Sequence, residues 1–277
     1  MGVKFLGQFL IDQGEVDASH VREALERMED ANPTLGELAI RHGYMTQRDA
    51  AQVSAAQRNE DLPFGDMAVE MGFLTSEELV EVLQRQSTQR LPVGEALVQL
   101  GYIEPDRLGT LLDAYKADQA AYDVVELDLP DGLVNHRATK YFVELLPRFL
   151  TRVARIEAKV GGIEAFTAPP DFAEVCVSVH VTGVRGLEVA LAADNDFAEA
   201  LAMATSGLAP SDLEPEMVAD GVGEFLNVLG GNAVSAVTQE GLRVELGPPD
   251  YDARLADGWI VELAVGTGRA ALVLSTF

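Results

Sequence analysis

The chain has 277 residues, 45 acidic against 20 basic, for a formal net charge of −25. This charge argues against binding to a nucleic-acid backbone and against attachment to an anionic membrane. The hydrophobic fraction of 48% excludes a disordered chain, and the single cysteine, Cys176, excludes an internal disulfide framework. The sequence begins without a signal-peptide pattern and contains no apolar run of about 18 residues. We therefore expect a cytoplasmic protein of about two domains, without membrane insertion.

The first half contains an internal repeat with a period of 29 residues. Two glycines mark each of the four copies, in the pairs Gly7 and Gly14, Gly36 and Gly43, Gly65 and Gly72, and Gly94 and Gly101. Each copy predicts a short helix that ends at the second glycine, because glycine readily takes the left-handed conformation that closes helices.

A second helix is predicted in each copy after a helix-capping signal. These signals are Asp17, Thr46, Thr75 and the pair Glu104-Pro105. Neither helix can bury its apolar side alone, so we expect the copies to pack on one another through positions such as Leu25 and Leu83.

The repeated pattern Leu-Gly-x-x-Leu-x-x-x-Gly, followed by Leu-x-x-x-Leu-x-x-Gln, resembles the MshEN-type repeat of type II secretion and type IV pilus assembly ATPases. The resemblance covers about residues 4–116. Some members of that family bind cyclic di-GMP through a form of the motif with an arginine before the Leu-Gly. The matching positions here are Phe5, Thr34, Pro63 and Pro92, and the closing glutamine remains only as Gln57 and Gln86. Without the arginine we favour a docking or structural role, with a secretion or motility component as the implied partner.

The second half predicts an α+β domain. A helix is predicted over 138–157 with a kink at Pro147, followed by a hairpin, a helix capped by Asp194 or Asp196, a long helix and three further strands. The hairpin strands are 172–182 and 187–193, the long helix is 213–238, and the last strands are 242–246, 259–265 and 269–274. This order predicts an antiparallel sheet packed with two long helices.

The predicted protein is thus multi-domain. An all-α helical-hairpin repeat domain at 1–116 is followed by a linker at 117–137 and the α+β domain at 138–277. Within the linker, the alternating residues 122–129 predict a short strand, and Asn135 a loop.

The long helix has one apolar and one polar face. Its apolar residues share a face at about 100° per residue. Asp220, Glu224, Asn227 and Gly231 lie on the opposite face within roughly 60° of each other. Asparagine and glycine weaken a helix, so their exposed position suggests use by a partner. A solvated face with helix-packing glycines explains the same pattern equally well.

The order of elements and this polar face resemble the CheC/CheX/FliY family of chemotaxis phosphatases, and most of all its CheX branch. The family pattern is Asp or Ser, three residues, Glu, two residues, Asn, and a proline further on. Asp220, Glu224 and Asn227 fit, and Pro248 and Pro249 stand at the expected distance. The resemblance covers about residues 138–277.

Two further features fit that family, and one observation limits the pattern. Gly183-Val184-Arg185-Gly186 resembles its glycine-marked hairpin, and Gly230-Gly231-Asn232-Ala233 its small-residue run. The bare Glu-x-x-Asn pattern is weak, because it recurs at Glu29-Asp30-Ala31-Asn32 between two repeats.

The resemblance implies hydrolysis of the phosphoaspartate on a response-regulator receiver domain, which supplies its own Mg²⁺. Asn227 would then orient the attacking water, and Glu224 would pair with the receiver's active-site lysine. Gly230 and Gly231 would allow close backbone approach, and Asp220 would position the pair or be plain surface charge. No cofactor or metal of the chain's own is implied, and the four histidines show no metal-ligand spacing.

The resemblance also implies a homodimer through the second domain. A second hypothesis is a non-catalytic scaffold, whose second domain binds a receiver or its own kind, with or without control by cyclic di-GMP. Loss or retention of activity when Asn227 is replaced would discriminate between the two.

Overall fold

The computed structural model describes residues 3–57, 62–120, 129–134, 136–183, 185–253 and 257–277. They fall into two compact units, Lys4–Ala121 and Tyr122–Phe277 with Met1–Val3. The strand predicted at 122–129 lies, except for its last residue, outside the described residues, as do Asn135 and Val184.

The described residues of the N-terminal unit form eight helices in which short and longer ones alternate. The short helices are α1 (Leu6–Asp12), α3 (Leu35–Arg41), α5 (Phe64–Glu70) and α7 (Val93–Gln99). The longer helices are α2 (Ala18–Ala31), α4 (Gln47–Ala56), α6 (Ser76–Gln89) and α8 (Pro105–Gln119). The glycine that follows each short helix has a positive φ between 71° and 77°. Thr46 and Thr75 cap their helices by accepting the backbone N–H of Asp49 and Glu78 at 3.2 Å.

The four helix pairs pack as two sets, the first with the fourth and the second with the third. One apolar cluster joins Phe9 of α1 to Leu97 of α7, and another joins Leu38 of α3 to Met67 of α5. Each set has a matching hydrogen bond between a tyrosine and a glutamate. Tyr102 donates to Glu23 at 2.5 Å, and Tyr44 donates to Glu81 at 2.8 Å.

The buried position of the longer helices differs from the predicted one. Leu25 and Leu83 are 38% and 45% exposed, whereas the residue before each of them is fully buried. The buried residues recur every 29 positions as Ala24, Val53, Val82 and Leu111. Contact with the paired repeat decides which face is buried, and the leucine spacing within one helix carries no information about that contact.

Asn32, from the second Glu-x-x-Asn pattern, has a structural role. Its amide accepts the backbone N–H of Leu91 at 2.7 Å and donates to the carbonyl oxygen of Leu91 at 2.8 Å. We expect Asn32→Ala to lower the free energy of unfolding by about 1–2 kcal/mol, because both backbone groups of the buried Leu91 lose their partner. Urea unfolding followed by circular dichroism measures the change, with exposed Asp30→Ala as control. Equal midpoints for the two variants would contradict the prediction.

The C-terminal unit is an antiparallel sheet with helices packed on it, which confirms the predicted architecture of this region. Helix α9 (Arg137–Phe149) continues as a π-helical turn, Leu150–Ala154. Next come β1 (Ala158–Phe166), β2 (Val175–Thr182), β3 (Leu187–Ala193), α10 (Asn195–Ser206), a 3₁₀ turn (Pro210–Asp212), α11 (Pro215–Gln239), β4 (Glu245–Leu246), β5 (Gly258–Val265) and β6 (Ala270–Thr276). The strand order is β1-β5-β6-β3-β2-β4. The main core lies between the sheet and α9, α10 and α11.

Strand β1 is absent from the sequence prediction, which extended the preceding helix to residue 157. The helical segment instead ends before Arg155, which takes a left-handed φ of 55°. Gly161 and Gly162 interrupt the alternation of β1, and its register with β5 shifts between Val160 and Ile163. Pairing with a strand that is distant in sequence therefore forms β1, and local pattern does not reveal it.

Candidate functional site

Helix α11 is held in the C-terminal unit by a buried face along most of its length. Phe225, Leu226 and Leu229 are fully buried, and the helix packs against α9, α10 and β2. Its first residue is Pro215, whose missing N–H costs nothing in the first turn. The exposed side of α11 is therefore presented on a helix that the core fixes in place.

The exposed side carries the polar residues that the sequence singled out. Asp220, Glu224, Asn227 and Gly231 are all exposed, and the helical period brings them onto one stripe. In the described part of the chain, neither Glu224 nor Asn227 forms a hydrogen bond or an ion pair. The nearby Asn232, by contrast, donates from Nδ2 to the carbonyl oxygen of Val228 at 2.9 Å. The carboxylate of Glu224 and the amide of Asn227 are thus available to an external partner.

The neighbouring glycines Gly230 and Gly231 differ in their surroundings. Gly230 is buried, and a Cβ added there would lie 2.8 Å from Cδ1 of Leu246 and 3.3 Å from Cζ of Phe142. Gly230 therefore packs closely against its own chain, and its expected role in approach by a partner stays a prediction. Gly231 is exposed, and an added Cβ would meet nothing within 4 Å. Gly231 alone of the two leaves room for a partner.

Tyr251 lies next to the stripe, and the sequence pattern did not identify it. A Cβ added at Gly223 would lie 2.7 Å from Oη and 3.0 Å from Cε1 of Tyr251, so the ring rests on the glycine backbone. Tyr251 as a residue remains 47% exposed. Burial raises the pKa of Tyr251, and the negative charges of Asp220 and Glu224 raise it further. Two features of the sequence could have pointed to Tyr251: the glycine that precedes Glu224, and the position of an aromatic residue shortly after Pro248-Pro249.

The backbone around Tyr251 is fixed to the sheet. The preceding residue, Asp250, exchanges backbone hydrogen bonds with Ser178 of β2 at 2.7 and 2.9 Å. The carboxylate of Asp250 also accepts the backbone N–H of Asp252 at 2.9 Å. Strand β2 and helix α11 together therefore hold Tyr251 beside Gly223, where the charges of Asp220 and Glu224 act on it.

Other candidate residues, namely Cys176 and the repeat glutamines, have surroundings that indicate a structural role. Burial raises the pKa of the Cys176 thiol to about 11, so it is a poor nucleophile. The repeat glutamines Gln57 and Gln86 donate to the backbone carbonyl oxygens of Leu62 and Pro33 at 2.6 and 3.2 Å.

Across the residues that the structure describes, no cluster of three or more His, Cys, Asp or Glu is placed to hold a metal ion. None of the described helices is both long enough and apolar enough to span a membrane.

The chemistry open to this stripe is positioning. An exposed amide offers donors and an acceptor and can hold a water molecule, while a carboxylate nearly one turn earlier attracts a cation. The amide of Asn227 is not among the side chains that form covalent intermediates, and the exposed carboxylate of Glu224 has no hydrogen-bond partner in the described part of the chain. The stripe thus suits a reaction whose electrophile arrives on a partner.

Comparison with known proteins gives a partial match. Residues 175–254 match the family model described as chemotaxis phosphatase CheX. The matched segment spans less than half of the chain, contains all of α11 and reaches past Tyr251. The repeats lie outside this segment, so their resemblance to the MshEN type stays a prediction. No curated protein matches the chain.

Several solved structures are similar to about half of the chain. The chemotaxis protein CheX from Desulfovibrio desulfuricans is 18% identical, with 50% of this chain and 99% of that chain covered and a TM-score of 0.43. CheX from Vibrio vulnificus is 19% identical, with 50% and 96% covered and a TM-score of 0.42. The CheX–CheY–BeF₃–Mg²⁺ complex from Borrelia burgdorferi is 16% identical, with 50% and 97% covered and a TM-score of 0.39.

Proposed function

We propose that the C-terminal unit hydrolyses the phosphoaspartate of a response-regulator receiver domain in chemotaxis or related two-component signalling. One observation supports this proposal most. The segment that matches the CheX family model presents Glu224 and Asn227 on the exposed side of a helix fixed by its buried face, and neither side chain is bound within the described chain.

The proposed reaction needs no nucleophilic side chain from this protein. A water oxygen forms a new bond to phosphorus, and the bond between phosphorus and the aspartyl oxygen breaks. The aspartate leaves as a carboxylate, and the proton lost by water is taken up by the phosphate product. The receiver brings both the acyl phosphate and the Mg²⁺ that offsets the phosphoryl charge, so the contribution of this chain is positioning.

Each residue of the exposed stripe has a proposed role. The amide of Asn227 holds the water in line with the bond that breaks, and the carboxylate of Glu224 pairs with a lysine of the receiver. Gly231 leaves space for the receiver backbone, and Asp220 adds negative charge near the end of the stripe. The chain itself needs no metal or cofactor in this scheme.

The repeats are proposed to dock the protein to a secretion or motility component. The glutamines that end two of the repeats bind backbone carbonyls of their own unit, which favours a structural use of the motif over nucleotide binding. A homodimer through the C-terminal unit is part of the same proposal.

A panel of receiver domains from the same organism tests the proposed function. Each receiver is phosphorylated with a small phosphodonor, and loss of the phosphoryl group is followed with and without the full-length protein. We expect faster loss for one receiver. No acceleration on any receiver, with binding retained, would overturn hydrolysis and support the non-catalytic scaffold.

A further inference from the structure

We infer that Tyr251 is a recognition residue of this site, where its ring and the carboxylate of Glu224 together receive a cationic side chain of the receiver. This inference rests on the proposed function and adds a residue to the partner-binding surface. It starts from three observations on Tyr251: its packing against Gly223, its exposure to solvent and the negative charges near it.

The side chain of Tyr251 packs against Gly223 of α11. Glycine in a helix costs about 1 kcal/mol relative to alanine, and Gly223 is buried one residue before Glu224. Any side chain at this position would occupy the space of the Tyr251 ring, because an added Cβ would come within 2.7 Å of Oη. Glycine at 223 therefore lets an aromatic ring lie beside the polar stripe.

The C-terminal unit itself buries only part of Tyr251. Tyr251 is close to half exposed, and tyrosine is enriched at interfaces because it combines an apolar ring with a polar hydroxyl. The backbone of Asp250 is bonded to β2, so the ring is carried by a fixed segment. A partly exposed aromatic residue on a fixed backbone is typical of the residues that dominate binding energy at protein interfaces.

The charges around the ring select the chemistry of its ligand. Asp220 and Glu224 act electrostatically on the Tyr251 phenol, so a negatively charged group would be repelled from this end of the stripe. A lysine ammonium that approaches Glu224 also comes near an aromatic face, which attracts cations. The combination of carboxylate and ring favours a cation more than either group alone.

The test compares three variants of the full-length protein with the wild type. Tyr251→Leu removes the aromatic face, Tyr251→Phe keeps it, and Gly223→Ala displaces the ring without altering it. We expect Tyr251→Leu and Gly223→Ala to raise KM for the phosphorylated receiver about fivefold with kcat within about twofold, and Tyr251→Phe to match the wild type. Thermal unfolding is measured in parallel, and Gly223→Ala should not be less stable, because alanine favours the helix and the end of the tyrosine side chain can move.

Receiver binding is measured separately, with the phosphoaspartate mimicked by beryllofluoride. A fivefold weaker Kd for Tyr251→Leu, with the Kd of Tyr251→Phe unchanged, would support the inference even if the wild type hydrolyses nothing. Absence of hydrolysis by the wild type would contradict only the proposed reaction. Unchanged KM and Kd in Tyr251→Leu would overturn the inference and leave the proposed reaction standing. A loss in Tyr251→Phe equal to that in Tyr251→Leu would assign the effect to the hydroxyl and contradict the role of the ring. A wild type that binds no receiver would overturn both.

Discussion

Asn227→Ala is expected to reduce the acceleration of receiver dephosphorylation by about 100-fold while receiver affinity and thermal stability stay nearly unchanged. The amide is exposed and forms no hydrogen bond within the described chain, so its removal leaves no internal group without a partner. Its proposed contribution is limited to the water that attacks phosphorus. The measurement is the single-turnover rate of phosphoryl loss from the receiver at saturating protein, together with Kd for the beryllofluoride form.

Two substitutions elsewhere serve as controls for this experiment. Gln239→Ala changes an exposed amide at the last residue of the same helix and should leave the rate unchanged. Asn32→Ala changes the other Glu-x-x-Asn asparagine, and its effect should appear in stability and not in the single-turnover rate. Full activity of Asn227→Ala would remove the proposed water-positioning role. A parallel loss of binding would indicate that Asn227 contributes to the interface and not to the reaction.

The local pattern of the sequence predicts the elements of the site well. The period of α11 places its apolar residues inward and Asp220, Glu224 and Asn227 outward, because one long amphipathic helix determines its own faces. The hairpin of β2 and β3 and the cap of α10 at Asp194 follow from turn and capping residues that act over a few positions. Such signals require no knowledge of distant segments.

Features that depend on distant contacts are absent from the prediction. Tyr251 lies 27 residues beyond Glu224 and reaches the site only because Asp250 pairs with β2. Strand β1 exists through its pairing with β5, and the first repeat packs with the fourth. A regular 29-residue period is compatible with several orders of packing, since every copy offers a similar apolar surface.

The glycines of α11 show the same limit, because composition alone does not distinguish a packing glycine from a functional one. Four glycines in one helix suggested either helix packing or partner approach. In the structure, Gly221 packs against α10, Gly223 against Tyr251 and Gly230 against Leu246. A Cβ added at Gly231 would meet nothing within 4 Å. Close packing therefore accounts for three of these glycines, and approach by a partner stays a prediction for Gly231.

Gly221→Ala is expected to lower the free energy of unfolding of the C-terminal unit by about 2–3 kcal/mol, although alanine favours a helix by about 1 kcal/mol. An added Cβ would lie 2.5 Å from Cα of Ala202 in α10. A backbone atom cannot rotate away, so the two helices must separate and core contacts along both are weakened. Trp259 in β5 is the single tryptophan of the chain, and its fluorescence during urea unfolding reports on this unit.

Gly231→Ala is the matched control, ten residues further along the same helix. Its added methyl group meets nothing, so the helix propensity of alanine should raise the free energy of unfolding by up to about 1 kcal/mol. Equal effects of the two substitutions would contradict the close contact between α10 and α11. A more stable Gly231→Ala variant with weaker receiver binding would show that this glycine is kept for the partner at the expense of stability, whereas unchanged binding would restrict the interface to the part of the stripe around Glu224 and Asn227.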